Sequence, residues 1–254
     1  MPSRVAAGLI PILLAACAGQ STPAASTAAS LSGSITVFAA SSLTAAFTRI
    51  GTTFEKARPG AKVQLTFAGS STLAAQIQQG ATGDVFASAD QPTVQQLVDA
   101  GLVSGLPSIF ARNRLQIVVA AGNPKHIGGL ADLSRAGLVV LLCAPAVPCG
   151  RYATQALRAA GVTVTPASQE ADVKAVVSKI SLGEADAGIV YVTDVKAAGA
   201  GVQGVDIQAG FNVTADYPIV VLKDSRHVAL ARAFISYVLA DGQQNLARDG
   251  FAAP

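Results

Sequence analysis

The chain has 254 residues, a formal net charge of +3 and 5% aromatic residues. Its basic residues form no run and its aromatic residues are few, so the composition argues against nucleic-acid binding. Past the N-terminal segment no stretch is long and apolar enough to span a membrane. About 220 residues remain, which suffice for one large domain or two smaller lobes.

The N-terminus has the features of an export signal. Arg4 gives a positive start, the apolar segment 6–16 follows, and the sequence Leu-Ala-Ala-Cys ends at Cys17. The apolar segment is too short to cross a bilayer and fits the core of a signal peptide. Its end resembles the lipobox of bacterial lipoproteins, so we expect a lipoprotein signal peptide over 1–16 and lipidation of Cys17; an ordinary signal peptide is the alternative. Residues 17–34 are small and uncharged, which is typical of a flexible tether.

The first half of the chain alternates apolar strands with amphipathic helices. In the first helix, Leu43, Phe47 and Ile50 fall on one stripe at helical spacing. The segment 115–121 is apolar apart from Gln116, which is typical of a central strand in a parallel sheet. The predicted elements are strands 35–40, 62–68, 84–87 and 115–121, and helices 42–57, 70–79 and one that begins after Asp90.

The second half has the same organisation. Val173, Val176 and Ile180 share one face of a predicted helix. Repeated strand–helix units predict an α/β fold with mostly parallel sheets flanked by helices, and open sheets of this class bind ligands beyond the carboxyl ends of their strands. The predicted elements are strands 138–142, 186–191 and 217–222, and helices near 150–160, 173–180 and 225–240.

Two further cysteines, Cys143 and Cys149, bracket a five-residue segment that contains two prolines. No histidine is near, and the spacing does not match a zinc site. In an exported protein such a pair favours a local disulfide over two free thiols, because oxidising compartments preserve disulfides and the prolines can hold the loop bent.

Two hydroxyl clusters follow predicted strands and open predicted helices. Ser41 and Ser42 follow the first strand, and Ser70 and Ser71 follow the second. Such residues can simply cap their helices, but helix starts also present free amides and a positive dipole end that favour an anion. Both clusters offer donors without a carboxylate, lysine or arginine. This favours a fully deprotonated tetrahedral dianion over phosphate, which keeps a proton near neutral pH.

Enzyme signatures are weak. A hydrolase that used Ser42 or Ser70 would need a base, and neither cluster reads G-x-S-x-G, while the two histidines are His126 and His227. The segment 199–204 matches G-x-G-x-x-G but leads into an apolar stretch that is typical of a turn followed by a strand, unlike the dinucleotide-binding motif. We therefore predict a non-enzymatic protein.

At this point a family resemblance becomes specific. Phe-Ala-Ala-Ser-Ser-Leu-Thr at 38–44, Phe-Ala-Gly-Ser-Ser-Thr-Leu-Ala at 67–74, Gly-Asp-Val-Phe-Ala-Ser-Ala-Asp at 83–90 and Gly-Ile-Val-Tyr-Val-Thr-Asp at 188–194 occur in order. Together they resemble the periplasmic molybdate-binding proteins of molybdate ABC importers. The resemblance covers essentially all of residues 35–251.

This resemblance implies a two-lobed type II binding-protein fold with two crossover strands at the hinge. The lobes would comprise 35–113 with 222–254, and 114–221, around a cleft that closes on a tetrahedral oxyanion. It implies no cofactor, because the oxyanion is the ligand and is held through its oxygens without a direct metal ligand.

The resemblance also implies a set of ligand-binding residues. Ser42 and Ser70 would bind through hydroxyl and amide groups, Cys149 and Val173 through backbone amides at helix starts, and Tyr191 through its phenolic hydroxyl. Tyr191 could instead be a core aromatic; a phenol at a strand's carboxyl end favours the ligand role.

The chain departs from the family pattern near the second-lobe site. Cys149 stands where a small residue such as alanine is usual; a backbone donor tolerates the change, and a disulfide there would stiffen this wall. Arg151 adds a cation in the first turn of the helix, and we expect it to be a solvated side chain.

The expected function is an extracytoplasmic receptor, anchored to the cell membrane only through lipidated Cys17. It would capture molybdate, or tungstate of nearly the same size and charge, and deliver it as a monomer to an ABC permease with its ATPase subunit. Alternatives are a sulfate or phosphate receptor, a serine esterase, and an effector-sensing module of the same fold. The lipobox and the lack of a DNA-binding segment argue against the last.

Overall fold

The computed structural model describes residues 1–3 and 31–254. The predicted signal peptide, apart from its first three residues, and the lipidation of Cys17 lie outside these ranges. The first strand begins two residues earlier than the predicted strand 35–40. Strand β1 begins at Gly33, whose amide donates to the carbonyl of Gly60 at 2.9 Å, so the chain is already paired before residue 35.

Strands and helices alternate along the described chain, as the sequence predicts. A 3₁₀ turn, Ser41–Leu43, precedes the first α-helix. The strands are β1 Gly33–Ala40, β2 Ala61–Ala68, β3 Val85–Ala87, β4 Val103–Ala120, β5 Val140–Cys143, β6 Ser168–Glu170, β7 Ala187–Tyr191, β8 Val202–Asp206 and β9 Thr214–Leu222. The helices are α1 Thr44–Ala57, α2 Ser70–Gln78, α3 Gln91–Asp99, α4 Pro148–Ala159, α5 Val173–Ser181, α6 Val192–Ala198, α7 Val228–Leu239 and α8 Gln243–Asp249.

The sheet is mixed, with the strand order β2-β1-β3-β9-β4-β7-β5-β6 and β8 beside β4. Strands β2, β1 and β3 are parallel at one end of this order, and β7, β5 and β6 are parallel at the other. The two parallel sets are the sheets of the two lobes, and helices flank them. The α/β class and the two-lobed architecture are confirmed.

The long strands β4 and β9 join the two lobes. β4 pairs antiparallel with β9 over residues 103–114, and with β7 and β8 from 115 onward. Residues 31–254 form one compact unit. The lobe boundaries at 113/114 and 221/222 therefore stay predictions.

The prediction that 115–121 forms a strand of a parallel sheet is wrong in direction. This segment belongs to β4, which is central as expected, but all its neighbours run antiparallel to it. An apolar run indicates that both faces of a strand are buried, but it does not indicate whether the adjacent strands run parallel or antiparallel to it. The motif at 199–204, by contrast, forms a 3₁₀ turn followed by β8, as the sequence predicts.

Aromatic side chains tie the helices of the first lobe to its long strand. Phe47 of α1 lies with its ring centroid 5.5 Å from that of Phe110 on β4, and Phe54 lies 5.3 Å from Phe234 of α7. All four side chains are fully buried. The Phe47–Phe110 pair is tilted and the Phe54–Phe234 pair is edge-to-face, and such aromatic pairs add to the energy of burial where α1 and α7 pack in this lobe. None of the described helices is long and apolar enough to cross a membrane.

Helix α6 begins at the end of β7 beside a deeply buried carboxylate. Asp194 is 1% exposed, and its Oδ2 accepts a hydrogen bond from the amide of Tyr191 at 3.2 Å. The Nζ of Lys174 lies 3.7 Å from Oδ1. Burial raises the pKa of Asp194 to about 6 and outweighs the nearby Lys174 charge, which lowers it.

This buried carboxylate should make stability pH-dependent. Because the folded pKa is about 6 and the usual value is 3.8, the native state holds a proton that the unfolded chain releases. The contribution is fully present below pH 3.8 and is lost as pH rises through 6. Asp194→Asn removes this titration. As pH rises from 4 to 7, the unfolding free energy of the variant should therefore increase relative to that of the wild type by on the order of 3 kcal/mol.

Urea unfolding of both proteins across this pH range measures the difference. Asp241→Asn, at an exposed position, is the control and should follow the wild-type curve. Parallel curves for Asp194→Asn and the wild type would show that the buried carboxylate does not titrate in this range.

Candidate binding site

All five residues that the sequence predicts as ligand-binding line one small cavity between the lobes. The centre of a water-sized molecule has about 20 Å³ to move in within this cavity. That is room for a small inorganic ion rather than an organic metabolite. Its lining consists of Ala40, Ser41, Ser42, Gly69, Ser70, Ala89, Cys143, Val147, Pro148, Cys149, Ala171, Asp172, Val173 and Tyr191.

Helix starts from both lobes surround this cavity. Ser42 lies in the 3₁₀ turn before α1, and Ser70 is the first residue of α2. From the second lobe, Cys149 is the second residue of α4 and Val173 is the first residue of α5. First-turn amides have no acceptor within their helix and carry the positive end of the dipole. Four such starts around one cavity form an environment suited to an anion.

The Ser42 hydroxyl ends a chain of hydrogen bonds behind the cavity. Its Oγ lies 3.0 Å from the Oη of Tyr217. The Nδ2 of buried Asn113 donates to that Oη at 3.4 Å and to the Oγ1 of Thr193 at 2.8 Å. Burial raises the pKa of Tyr217 well above its usual range, so the phenol keeps its proton. Either hydroxyl of the Ser42–Tyr217 pair can be the donor, and when Tyr217 donates, the Ser42 proton is free to point into the cavity.

The Ser70 hydroxyl is oriented in a similar way. It is 1% exposed, and its Oγ accepts a hydrogen bond from the amide of Ala89 at 3.0 Å. Its one proton is therefore available for a ligand in the cavity. The neighbouring Ser71 is different, because its hydroxyl donates to the carbonyl of Ala146 at 2.8 Å.

Tyr191 supplies the clearest unused donor. Its side chain is 1% exposed, and among the described residues its Oη has no hydrogen-bond partner. Burial raises its pKa well above the usual range, so the hydroxyl stays protonated. An unpaired buried hydroxyl costs free energy unless a ligand or water satisfies it, which is the position expected of a ligand-binding phenol.

A disulfide joins Cys143 at the end of β5 to Cys149 in α4, which is the pairing that the sequence predicts. Both cysteines line the cavity. A Cβ at Gly150 would lie 2.0 Å from the carbonyl oxygen of Ala144, so the bridged loop fits against the helix start only with glycine there. The disulfide thus holds the Cys149 amide on a short, fixed loop.

One carboxylate, missed by the sequence analysis, also lines the cavity. Asp172 caps α5, and its Oδ1 accepts from the amides of Lys174 and Ala175 at 2.8 and 3.0 Å. Its charge is therefore directed to the helix start, where the dipole stabilises it. The sequence signal that could have located Asp172 is its position directly before the predicted helix that begins at Val173, because aspartate is a preferred N-cap residue.

The prediction of a solvated Arg151 is wrong. Its side chain is 25% exposed, and its Nε donates to the Oδ2 of Asp90 at 2.9 Å across the cleft. Its Nη2 also donates to that oxygen and to the Oγ1 of Thr93. An exposed first-turn arginine is a common pattern in sequence, and only the approach of the other lobe gives it a buried partner.

The cleft between the lobes is closed in this structure. Besides the Arg151–Asp90 pair, the hydrogen bond from Ser71 to Ala146 crosses it. A Cβ at Gly69 would lie 2.5 Å from the carbonyl oxygen of Ala171, so the backbones of the two lobes approach closely there. These contacts hold the two lobes together beside the cavity.

The comparisons with known proteins agree with this geometry. The model of the family described as bacterial extracellular solute-binding protein matches residues 35–252. The chain is 46% identical over 244 residues to the molybdate-binding protein ModA of Mycobacterium tuberculosis H37Rv, covering 95% of this chain and 93% of that protein. It is 33% identical over 220 residues to ModA of Escherichia coli K12, covering 81% and 83%.

Solved structures of low sequence identity share the fold. The periplasmic molybdate-binding protein of Azotobacter vinelandii has a TM-score of 0.74 at 22% identity, covering 87% of this chain and 99% of that one. The sulfate-binding protein SubI of M. tuberculosis H37Rv has a TM-score of 0.79 at 21% identity, covering 87% and 86%. From the family model and the close relatives together, the chain belongs to the bacterial extracellular solute-binding protein family, alongside its ModA relatives, and is a receptor rather than an enzyme.

Proposed function

We propose that this receptor captures molybdate, with tungstate as a comparable ligand, and delivers it to an ABC import permease. The observation that carries the proposal is the set of oriented donors around one small cavity. The Ser42 hydroxyl lines the cavity, the Ser70 hydroxyl accepts from the Ala89 amide and keeps its proton for a ligand, and the Tyr191 hydroxyl has no partner among the described residues. Helix-start amides at Cys149 and Val173 complete a set of donors from both lobes.

A dianion that carries no proton suits this donor set. Among the described residues that line the cavity there is no lysine, arginine or histidine, so neutral dipoles would hold the charge. This works when every ligand oxygen is hydrogen-bonded. Asp172 adds one carboxylate to the lining, so the retained proton of phosphate could find an acceptor there. Phosphate therefore belongs in the test.

Two observations rank the remaining ligands. The relatives at 46% and 33% identity are molybdate-binding proteins by name, which favours molybdate. The sulfate-binding neighbour is similar in fold alone, so sulfate is the second candidate. A serine esterase lacks support, because neither His126 nor His227 is among the described cavity-lining residues that could activate Ser42 or Ser70.

The delivery step adds partners that are part of the proposal. The receptor would act as a monomer outside the cytoplasm, tethered through lipidated Cys17, and would dock its closed form on the permease while the ATPase subunit drives transport. The extracellular family assignment supports the location. Tethering keeps a high local concentration of receptor near the permease.

Oxyanions should stabilise the protein according to their fit. A ligand that binds only the folded state raises stability by RT ln(1 + [L]/Kd), so ligand at a thousandfold excess over Kd contributes about 4 kcal/mol. Molybdate and tungstate should each raise Tm clearly in a thermal-shift panel, with sulfate, phosphate and nitrate much weaker.

The same panel can overturn the proposal. A shift with sulfate alone would replace the molybdate receptor with a sulfate receptor, and a shift with phosphate alone would replace it with a phosphate receptor. No shift with any of these anions would remove the oxyanion function.

Each side-chain donor should contribute separately to affinity. A hydrogen bond to a charged partner is worth about 1.5–3 kcal/mol, so Ser42→Ala, Ser70→Ala and Tyr191→Phe should each weaken molybdate binding roughly ten- to hundredfold in calorimetric titration. Val173→Ala is the control, because its amide remains, and it should have a mild effect. Unchanged affinity in both serine variants would mean that the hydroxyl clusters serve only as helix caps.

The lipid anchor has an independent test. Mass spectrometry of protein from native membranes should show a mature chain that begins at a lipidated Cys17. A Cys17→Ser variant should be released into the soluble fraction, because the thiol that accepts the lipid is gone. A wild-type soluble product with a different N-terminus would refute the anchor without affecting the ligand assignment.

A further inference from the structure

We propose that Arg151 and Asp90 form an interlobe latch that sets ligand affinity by stabilising the closed cleft. The inference rests on the proposed oxyanion receptor and identifies a positioning residue that does not touch the ligand cavity. Arg151 stands in the first turn of α4 in the second lobe. Asp90 is the residue before α3 in the first lobe.

The contact has the geometry of a strong charge-assisted interaction. The Nε and Nη2 of Arg151 both donate to Oδ2 of Asp90, the former at 2.9 Å, and Nη2 also donates to the Oγ1 of Thr93 at 2.7 Å. The Asp90 side chain is 1% exposed. Its other oxygen, Oδ1, accepts from the Thr93 amide at 3.1 Å and caps α3. Both carboxylate oxygens are therefore used, but only one of them by the opposite lobe.

The guanidinium is also fixed to its own lobe. Its Nη1 donates to the carbonyl of Ala146, in the loop that the Cys143–Cys149 disulfide closes. The same carbonyl accepts the cross-cleft bond from Ser71. Arg151 thus reaches across the cleft from a restrained position, so little side-chain entropy remains to be lost when the lobes meet.

The energetic effect of the pair falls on closure rather than on folding. When the lobes part, water can solvate both charges, and Asp90 keeps its cap on α3. When they close, the Asp90 carboxylate is buried and needs a partner, because an unpaired buried charge is costly. Loss of Arg151 would therefore penalise the closed form selectively. A ligand that binds the closed form would bind more weakly in consequence.

The position of Asp90 adds a second reason for the latch. The adjacent Ala89 lines the cavity, and its amide donates to the Oγ of Ser70. A lone carboxylate beside this segment would repel a dianion in the cavity across a poorly solvated space. Arg151 neutralises that charge, so it improves binding without supplying a direct ligand contact.

Four variants separate these effects. Arg151→Gln leaves Asp90 buried and unpaired on closure. Asp90→Asn removes the charge but keeps an N-cap, since asparagine caps as well as aspartate. The double variant removes both charges, and Arg151→Lys keeps the cation but not the planar fork. Arg158→Gln, exposed on the same helix α4, is the matched control.

The measurements are the molybdate Kd by calorimetry, the dissociation rate by stopped flow, and Tm without ligand. Arg151→Gln should weaken molybdate binding roughly ten- to hundredfold, mainly through faster dissociation, with little change in ligand-free Tm. Asp90→Asn should lose less molybdate affinity than Arg151→Gln, because the Arg151 guanidinium that it leaves unpaired is partly exposed and can be hydrated. The double variant should bind more tightly than Arg151→Gln, and this non-additivity is the signature of a coupled pair. Arg151→Lys should recover part of the loss.

The results that overturn the latch are distinct. Wild-type affinity and dissociation in Arg151→Gln would refute it. A ligand-free Tm that falls along with affinity would assign the pair to general stability instead. A double variant as weak as the sum of the single variants would show that the two charges act independently.

The latch can also be judged if the oxyanion proposal fails. Single-molecule energy transfer between two fluorescent labels measures the interlobe distance. The labels are placed at the exposed positions Thr52 of α1 and Gln155 of α4. They are attached without cysteine chemistry so that the disulfide stays intact. The closed population of the ligand-free protein should fall in Arg151→Gln. If no oxyanion binds the wild type, the proposed function is wrong. The closed population of the ligand-free protein then tests by itself whether Arg151 and Asp90 stabilise the closed cleft. An unchanged closed population, or a wild type with none, would refute it.

Discussion

The site depends on one constraint, the parallel register of the first two strands. β1 and β2 pair in register from Gly33↔Ala61 to Ala40↔Ala68, so both strands end level and the helices that follow start side by side. This places Ser42 and Ser70 at the same edge of the sheet, facing the starts of α4 and α5. A slip of one residue in this pair would turn the buried face of a strand to the other side and separate the two hydroxyls.

Charge around the cavity is controlled by giving each carboxylate a local partner. Asp90 pairs with Arg151, Asp172 caps the start of α5, and Asp194 accepts from the Tyr191 amide at the start of α6. The cavity can therefore stay attractive to an anion although its described lining contains no cationic side chain. Oriented neutral dipoles do this well because they need no reorganisation when the ligand arrives.

The sequence predicted those features that depend on neighbours along the chain. The strand–helix alternation, the serine clusters at helix starts and the Cys143–Cys149 pair all follow from local patterns. Features that depend on contacts between residues far apart in the chain were missed. The antiparallel neighbours of β4 leave no trace in an apolar run, and the partner of Arg151 lies 61 residues away in the chain. Tyr217 and Asn113, which form hydrogen bonds behind the Ser42 hydroxyl, look like ordinary core residues in sequence. Helices α6 and α8, with seven residues each, are too short to show a clear periodicity.

The second wall of the cavity and the latch share one structural origin. The disulfide fixes the loop that carries Ala146, and that carbonyl accepts from both Arg151 of its own lobe and Ser71 of the other. The amide of Cys149 and the guanidinium of Arg151 stand two residues apart on the same first turn of α4. Movement of this turn must therefore change the cavity lining and the interlobe contacts together. If a ligand binds in the cavity as proposed, binding and closure are linked through this turn, and each must favour the other by the same free energy.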